Sequence, residues 1–130
     1  MQYSQALVDA QLACIQSTIG GSGVLKFFSG ALPANCAASD PSGLLGTITL
    51  PSTFMGSPSG GAVALSGSWT TTWSSSGTVA CFRMYDGSGN CHCQGSCGTS
   101  SADMVLSTLT AVATVAVTVT SDTVTAGNYP

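Results

Sequence analysis

One stretch restricts the folds open to this chain more than any other. Residues 78–98 read as two extended runs joined by Asp86-Gly87-Ser88-Gly89-Asn90. An apolar, aromatic run entering a Gly- and Asp/Asn-rich reversal is the strongest short-range signal for a β-hairpin. The first arm has large or apolar residues on both alternating faces, Ala80, Phe82 and Met84 on one, Val79, Cys81 and Tyr85 on the other. That pattern belongs to a strand covered on both sides. The sequence thus predicts a central hairpin with something packed against each face.

The same stretch holds four of the six cysteines. If the loop is residues 86–90, Tyr85 faces Cys91, Arg83 faces Cys93 and Cys81 faces Gly95, so that Cys81, Cys91, Cys93 and Cys97 share one face. A two-residue turn at Ser88-Gly89 shifts the pairing by one and sends Cys81 to the opposite face from the other three. Both registers are open. A zinc site would want Cys-x2-4-Cys pairs on tight turns. The spacing here is Cys91-x-Cys93-x3-Cys97, and in an extended segment His92 points away from its two neighbours, so no metal is expected. Buried thiols acting as small hydrophobes are the simplest reading. Disulfides would require an oxidising compartment, and the sequence leaves the state of these thiols open.

At 130 residues and 12.9 kDa the chain is read as a single domain, residues 1–130, with one core. Charged residues make up 5%, against roughly 25% in an average soluble domain. There is no Glu, the only Lys and Arg are Lys26 and Arg83, and the net charge is −3 with a pI near 4.3. Nucleic-acid binding rests on clustered cations, so nucleic acid is excluded as a partner. A surface of Ser, Thr, Gly and Asn with so few charges is poorly protected against self-association, which favours life in an assembly. The amino terminus lacks the basic start of a secretory signal, Asp9 interrupts any apolar run, and Leu12-Ala13-Cys14 resembles a lipoprotein cleavage site only superficially. The uncharged residues 104–121 alternate with period two, a strand pattern rather than a membrane helix. No membrane partner is expected, and synthesis is expected in the cytoplasm.

In chain order, residues 4–19 read as the one helix. Val8, Leu12, Ile15 and Ile19 form a stripe that Leu7 and Cys14 widen, Ser4 caps the start and Gly20-Gly21 supplies a left-handed stop. A β core over residues 24–120 follows. Its expected strands are residues 24–28, 44–50, the weaker 62–65 and 69–73, the central hairpin, 103–106 and the alternating 113–120. Phe54 and Met55 anchor the loop of residues 52–61, and Trp69 and Trp73 are read as core. Residues 121–130 are expected either to continue that last strand or to leave as a C-terminal arm. Short strands divided by Gly, Ser and Pro predict an all-β fold, an antiparallel jelly roll or sandwich with one short N-terminal helix.

Acid–base chemistry needs titratable groups that converge. The chain offers His92 with Asp9, Asp40, Asp86, Asp103 and Asp122, and Asp40 and Asp86 lie in turn-forming sequence where Asp serves its own backbone. Cys91 or Cys93 with His92 is a poor dyad, because adjacent strand residues diverge. No phosphate-binding or calcium loop is present. No enzymatic activity, catalytic residue or cofactor is expected.

Several segments taken together resemble a known family. Leu25-Lys26-Phe27-Phe28-Ser29-Gly30-Ala31-Leu32-Pro33-Ala34 has a hydrophobic strand, then Ser/Asp-Gly, then x-x-Pro-Ala. Leu44-Leu45-Gly46-Thr47-Ile48-Thr49-Leu50, residues 77–86 and residues 95–106 follow in order. This is similar to small virion proteins of tailed bacteriophages, in particular the head decoration or cement proteins. The resemblance implies a jelly-roll-like domain on the exterior of an HK97-type capsid that stabilises contacts between major capsid subunits. Its implied partners are the major capsid protein and further copies of itself, as homodimer or homotrimer. The cysteines depart from the family pattern. Competing expectations are a tail or neck component, a host-glycan binding module with Trp69 or Trp73 exposed in a groove, and a secreted disulfide-stapled domain.

Overall fold

The structure, a computed structural model, describes residues 1–125. Its single helix, α1 (Gln5–Ile19), starts where Ser4 Oγ accepts the Leu7 N–H at 3.3 Å and ends at Gly20. Gly20 has φ 77° but ψ −172°, so the stop uses a positive φ without entering the left-handed helical region. Val8, Leu12 and Ile19 are buried as the stripe requires, whereas Leu7 is 48% exposed and Cys14 is also exposed. Those two do not widen the stripe, because α1 rests on its support through one narrow face.

Ten strands follow among the described residues: β1 (Val24–Phe28), β2 (Leu44–Thr49), β3 (Ala62–Ala64), β4 (Thr70–Thr72), β5 (Gly77–Thr78), β6 (Cys81–Tyr85), β7 (Cys91–Gly98), β8 (Met104–Leu106), β9 (Thr110–Ala111) and β10 (Ala116–Thr125). The fold is mostly β. Eight of them form one sheet in the order β2-β1-β6-β7-β8-β10-β3, with β4 also on β10, and β5 and β9 make a separate ribbon. The sheet nearly closes on itself. Beyond β4 the N–H groups of Ser74 and Ser75 donate to the Leu45 carbonyl of β2 at 2.8 and 3.2 Å, and Trp73 N–H donates to Val115 O at 2.9 Å.

Two-residue periodicity then fills the interior. Leu25 pairs with Ile48 on one side and Met84 on the other, and Phe27 with Gly46 and Phe82; apart from Gly46, all belong to the core. Trp73 meets Phe27 edge-on with ring centroids 5.6 Å apart, over the space left by Gly46, where a Cβ would stand 2.9 Å from the indole. Phe54 and Met55 are buried and anchor their loop as expected.

The expectation of a purely antiparallel sheet is corrected, because β7 and β8 pair in parallel, Cys97 with Met104 and Gly98 with Val105. Residues 99–103 fold straight back along β7 instead of crossing the sheet. Ser101 takes φ 46°, and the Asp103 carboxylate pins the return by accepting the Ser96 N–H and Oγ–H, both at 2.8 Å. The last strand is also displaced from its expected bounds. Thr114 turns at φ 72° and Val115 is 51% exposed, so the strand begins at Ala116 and runs on through Thr125. Of the two readings of residues 121–130, continuation of the strand holds as far as Thr125 in place of an arm, and residues 126–130 lie outside the described residues.

Candidate functional site

The hairpin forms with a register that belongs to neither simple alternative. Asp86 organises the loop: its backbone N–H donates to Asn90 O at 3.0 Å and its Oδ1 accepts the N–H groups of Ser88 and Asn90. Asp86 thus serves its own turn, as its sequence context implies. Tyr85 pairs with Cys91, but an irregularity follows, and Met84 pairs with Cys93, Phe82 with Gly95 and Cys81 with Ser96. A bulge of this kind places two residues of one strand opposite one of the other and reverses which way later side chains face. The four cysteines are accordingly divided. Cys91 stands with Arg83 and Tyr85 on the outer side, and Cys93 and Cys97 pack against the core.

The outer side of β6 carries the most elaborate polar arrangement of the molecule. All five residues of β6 are buried, one face by the core and the other by the loop of residues 29–43. Arg83 is 1% exposed. Its Nη1 donates to Ala38 O at 3.1 Å and Asp40 Oδ1 at 2.7 Å; its Nη2 donates to Cys36 O at 2.7 Å and Asn35 O at 3.4 Å. Asn35 shapes the turn that offers these carbonyls, its Oδ1 accepting the N–H groups of Ala37 and Ala38, both at 3.0 Å. The Tyr85 hydroxyl donates to the same Asp40 oxygen, and Lys26 Nζ lies 4.6 Å from the Tyr85 ring centre. Burial, then the hydrogen bond to Asp40, holds the Tyr85 phenol well above its usual range.

Asp40 is therefore not a self-serving turn residue. It reaches across to Arg83 because a guanidinium enclosed between two layers needs acceptors for its N–H groups; both Nη atoms find them, whereas Nε is buried without a partner. Cys36, Asp40, Arg83, Tyr85 and Cys91 line an open cavity of about 570 Å³ beside this cluster. Both Nη atoms are already engaged by three carbonyls and a carboxylate, and Nε is buried, so the guanidinium is turned to the loop rather than offered to an anionic ligand. Its chemistry is that of a clamp which fastens a long loop to the sheet.

A second cavity, of about 220 Å³, lies between α1 and β7 and is lined by Gln11, Cys14, Ile15, Thr18, Ile19, His92 and Cys93. The bulge turns His92 and Cys93 toward this common space, so the expectation that His92 points away from both its neighbours fails for Cys93. His92 Nε2 lies 2.9 Å from Asp86 Oδ2, and this bond, with those from Asn90, holds the Asp86 carboxyl well below the usual carboxylate range. Cys93 is not activated by the arrangement: burial, then the charges of Cys36, Asp122 and Cys91, push its thiol up to about 11. A nucleophilic thiol requires a lowered value. Among the described residues, no three His, Cys, Asp or Glu side chains are grouped so as to hold a metal ion. Trp69 and Trp73 are 1% and 2% exposed and form no surface platform. No helix among the described residues is long and apolar enough to cross a membrane.

Asn35, Asp40 and Gln16 are the positions that local patterns missed. Gln16 reaches from α1 to the backbone of residues 52–55, more than thirty positions away in sequence. One signal was present for Asp40. A lone Arg on a strand apolar on both faces requires a buried acceptor set, and the chain has only five acidic residues to supply a carboxylate. Comparison with known proteins finds no matching family, no matching characterised protein and no matching solved structure.

Proposed function

We propose that this chain is a non-enzymatic structural protein of a tailed-bacteriophage virion, a cement or decoration protein on the capsid exterior that stabilises contacts between major capsid subunits. The observation that supports it best is the disposition of charge. Of the two Lys and Arg residues, Arg83 is buried in an internal clamp, which leaves Lys26 as the one such side chain reaching the surface. Leu7, Leu32, Leu44, Val112 and Val115 are exposed by 43–51% on that nearly uncharged exterior. Such a surface is cheap to desolvate, since stripping water from charges is one of the costs that oppose an interface. Adhesion through shared area then follows without a ligand pocket.

The jelly-roll reading is part of the same proposal. It is supported by a sheet that curves until Leu45 meets Ser74, with Phe27 and Trp73 between its two halves. Self-association as dimer or trimer would match local axes of a shell. Binding to the assembled shell alone would stabilise it by linkage. The test is copy number: purified particles should contain the chain in numbers comparable to capsid subunits, and particles lacking it should open at lower temperature. A ring of few copies would assign it to the tail or neck, and absence from particles would end the proposal.

A further inference from the structure

Cys36 and Cys91 line one cavity beside Arg83, and the positions of both backbones are fixed independently of the sulfurs. The Cys36 carbonyl accepts from Arg83 Nη2 at 2.7 Å, so residue 36 cannot move away without breaking the clamp. Cys91 is held on the neighbouring strand opposite Tyr85. Both line the same open cavity and both are partly exposed. Cys36 is close enough to act directly on the titration of Cys91, whose thiol donates to Cys93 O at 3.4 Å.

The other four cysteines are placed differently. Cys81 is fully buried, with its thiol donating to Gly30 O at 3.4 Å. Cys93 and Cys97 pack against the core, where burial pushes their thiols up to about 11 and about 12. Cys14 is exposed on α1 and lines, with Cys93, the cavity on the helix side of β7, where the Cys93 side chain packs against the core.

We infer that Cys36 and Cys91 are a disulfide-forming pair which, when oxidised, staples the loop of residues 29–43 to the central hairpin. The inference does not rest on the virion reading. The oxidant is a small-molecule disulfide of the glutathione type. One protein thiolate attacks a sulfur of that disulfide, forms a mixed disulfide and releases one small thiol. The second protein thiolate then attacks the protein-side sulfur and releases the other. One small disulfide is reduced to two thiols, the protein pair loses two electrons and two protons, and one S–S bond forms. Burial and the neighbouring Cys36 raise the Cys91 thiol above its ordinary value, so the reaction accelerates as pH rises from neutrality. The link closes a long loop, from residue 36 to residue 91, which is the case where a crosslink constrains the unfolded chain most.

The chain itself supplies a convenient readout, because trypsin has only Lys26 and Arg83 to cut after. Cleavage places Cys36 and Cys91 on different fragments. The full-length protein is incubated with oxidised glutathione at pH 8, alkylated and digested without reduction. The expected result is a loss of about 2 Da in the intact mass, with residues 27–83 and 84–130 joined. The join should vanish in Cys36→Ser and in Cys91→Ser but persist in Cys81→Ser, and oxidation should raise the wild-type unfolding midpoint by roughly 10 °C. Three outcomes would overturn the inference: fragments still joined in Cys36→Ser, both thiols alkylated after oxidation, or a stable glutathione adduct on Cys36 that Cys91 never displaces. Both Ser variants keep the polar clamp, and a circular dichroism spectrum matching wild type verifies that they fold.

Discussion

Arg83 and Asp40 lie 43 positions apart in sequence and meet at 2.7 Å, yet the pair is lopsided, with Arg83 1% and Asp40 43% exposed at the side chain. A carboxylate that keeps contact with water adds little net stability to an ion pair. The buried guanidinium, in contrast, holds three main-chain carbonyls that would otherwise lose their partner.

Unequal costs should therefore attend removal of the two partners. Asp40→Asn is expected to destabilise by about 1 kcal/mol or less, and Arg83→Met by about 3–5 kcal/mol, because it strands buried acceptors. Denaturant unfolding measures both. Equal losses would mean that the charge pair, rather than the carbonyl cradle, holds the loop of residues 29–43.

Gly46 is required by Trp73. Its added Cβ would lie 2.9 Å from the indole Cε3, a distance that forces the ring or strand β2 to shift. Gly46→Ala is expected to cost about 1–3 kcal/mol and to alter the near-ultraviolet dichroism of the tryptophans. Trp73→Phe frees space at the same point, so the double variant should lose less than the sum of the single losses. Strict additivity would show that the contact is not felt.

The parts of this fold that were legible from sequence are those encoded within a few residues. The helix was marked by Ser4 and the Val8-Leu12-Ile19 stripe, the reversal by residues 86–90, and the double-sided burial of residues 81–85 by apolar residues on both alternations. The register of the hairpin was not legible, because the irregularity between Met84 and Tyr85 depends on what each face packs against, and no single residue announces it. The parallel pairing of β7 with β8 was hidden for a similar reason: its cause is the contact between Asp103 and Ser96. The clamp around Arg83 was half legible. The need for acceptors could be read from one charge among apolar neighbours, but the identity of Asn35, Cys36, Ala38 and Asp40 as those acceptors is a product of chain folding.

Gln16 fastens α1 to the body of the protein. Its Nε2–H donates to Ser52 O at 3.1 Å, while its Oε1 accepts the N–H groups of Phe54 and Met55 at 2.9 and 3.0 Å. Gln16→Ala leaves two partly buried amides without an acceptor, and a loss of about 2–3 kcal/mol is expected. Hydrogen exchange should locate the damage, with the Phe54 and Met55 amides exchanging faster while those of β6 stay protected. Unchanged protection at residues 54 and 55 would contradict the assignment.

Asp122 gives the protein a pH dependence opposite in sign to that of its other shifted carboxylates. It is 4% exposed, and burial, followed by the charge of Asp103, raises it from 3.8 to about 6. A carboxyl raised on folding favours the folded state while protonated. Its contribution is complete below 3.8 and is lost as pH rises through about 6, a difference of up to about 3 kcal/mol at neutral pH. Asp86 and Asp103 are held low by the hydrogen bonds that they accept, so their contribution is present above the ordinary carboxylate value and is lost as pH falls below it. Together these carboxylates place the stability maximum in mildly acidic solution. Asp122→Asn, which keeps the shape and removes the charge, should raise the unfolding midpoint by several degrees at pH 7.5 and hardly at all at pH 3.5. Scanning calorimetry across that range decides the matter. A gain of equal size at both pH values would show that the amide improves packing, and that the buried charge of Asp122 is not what limits stability at neutral pH.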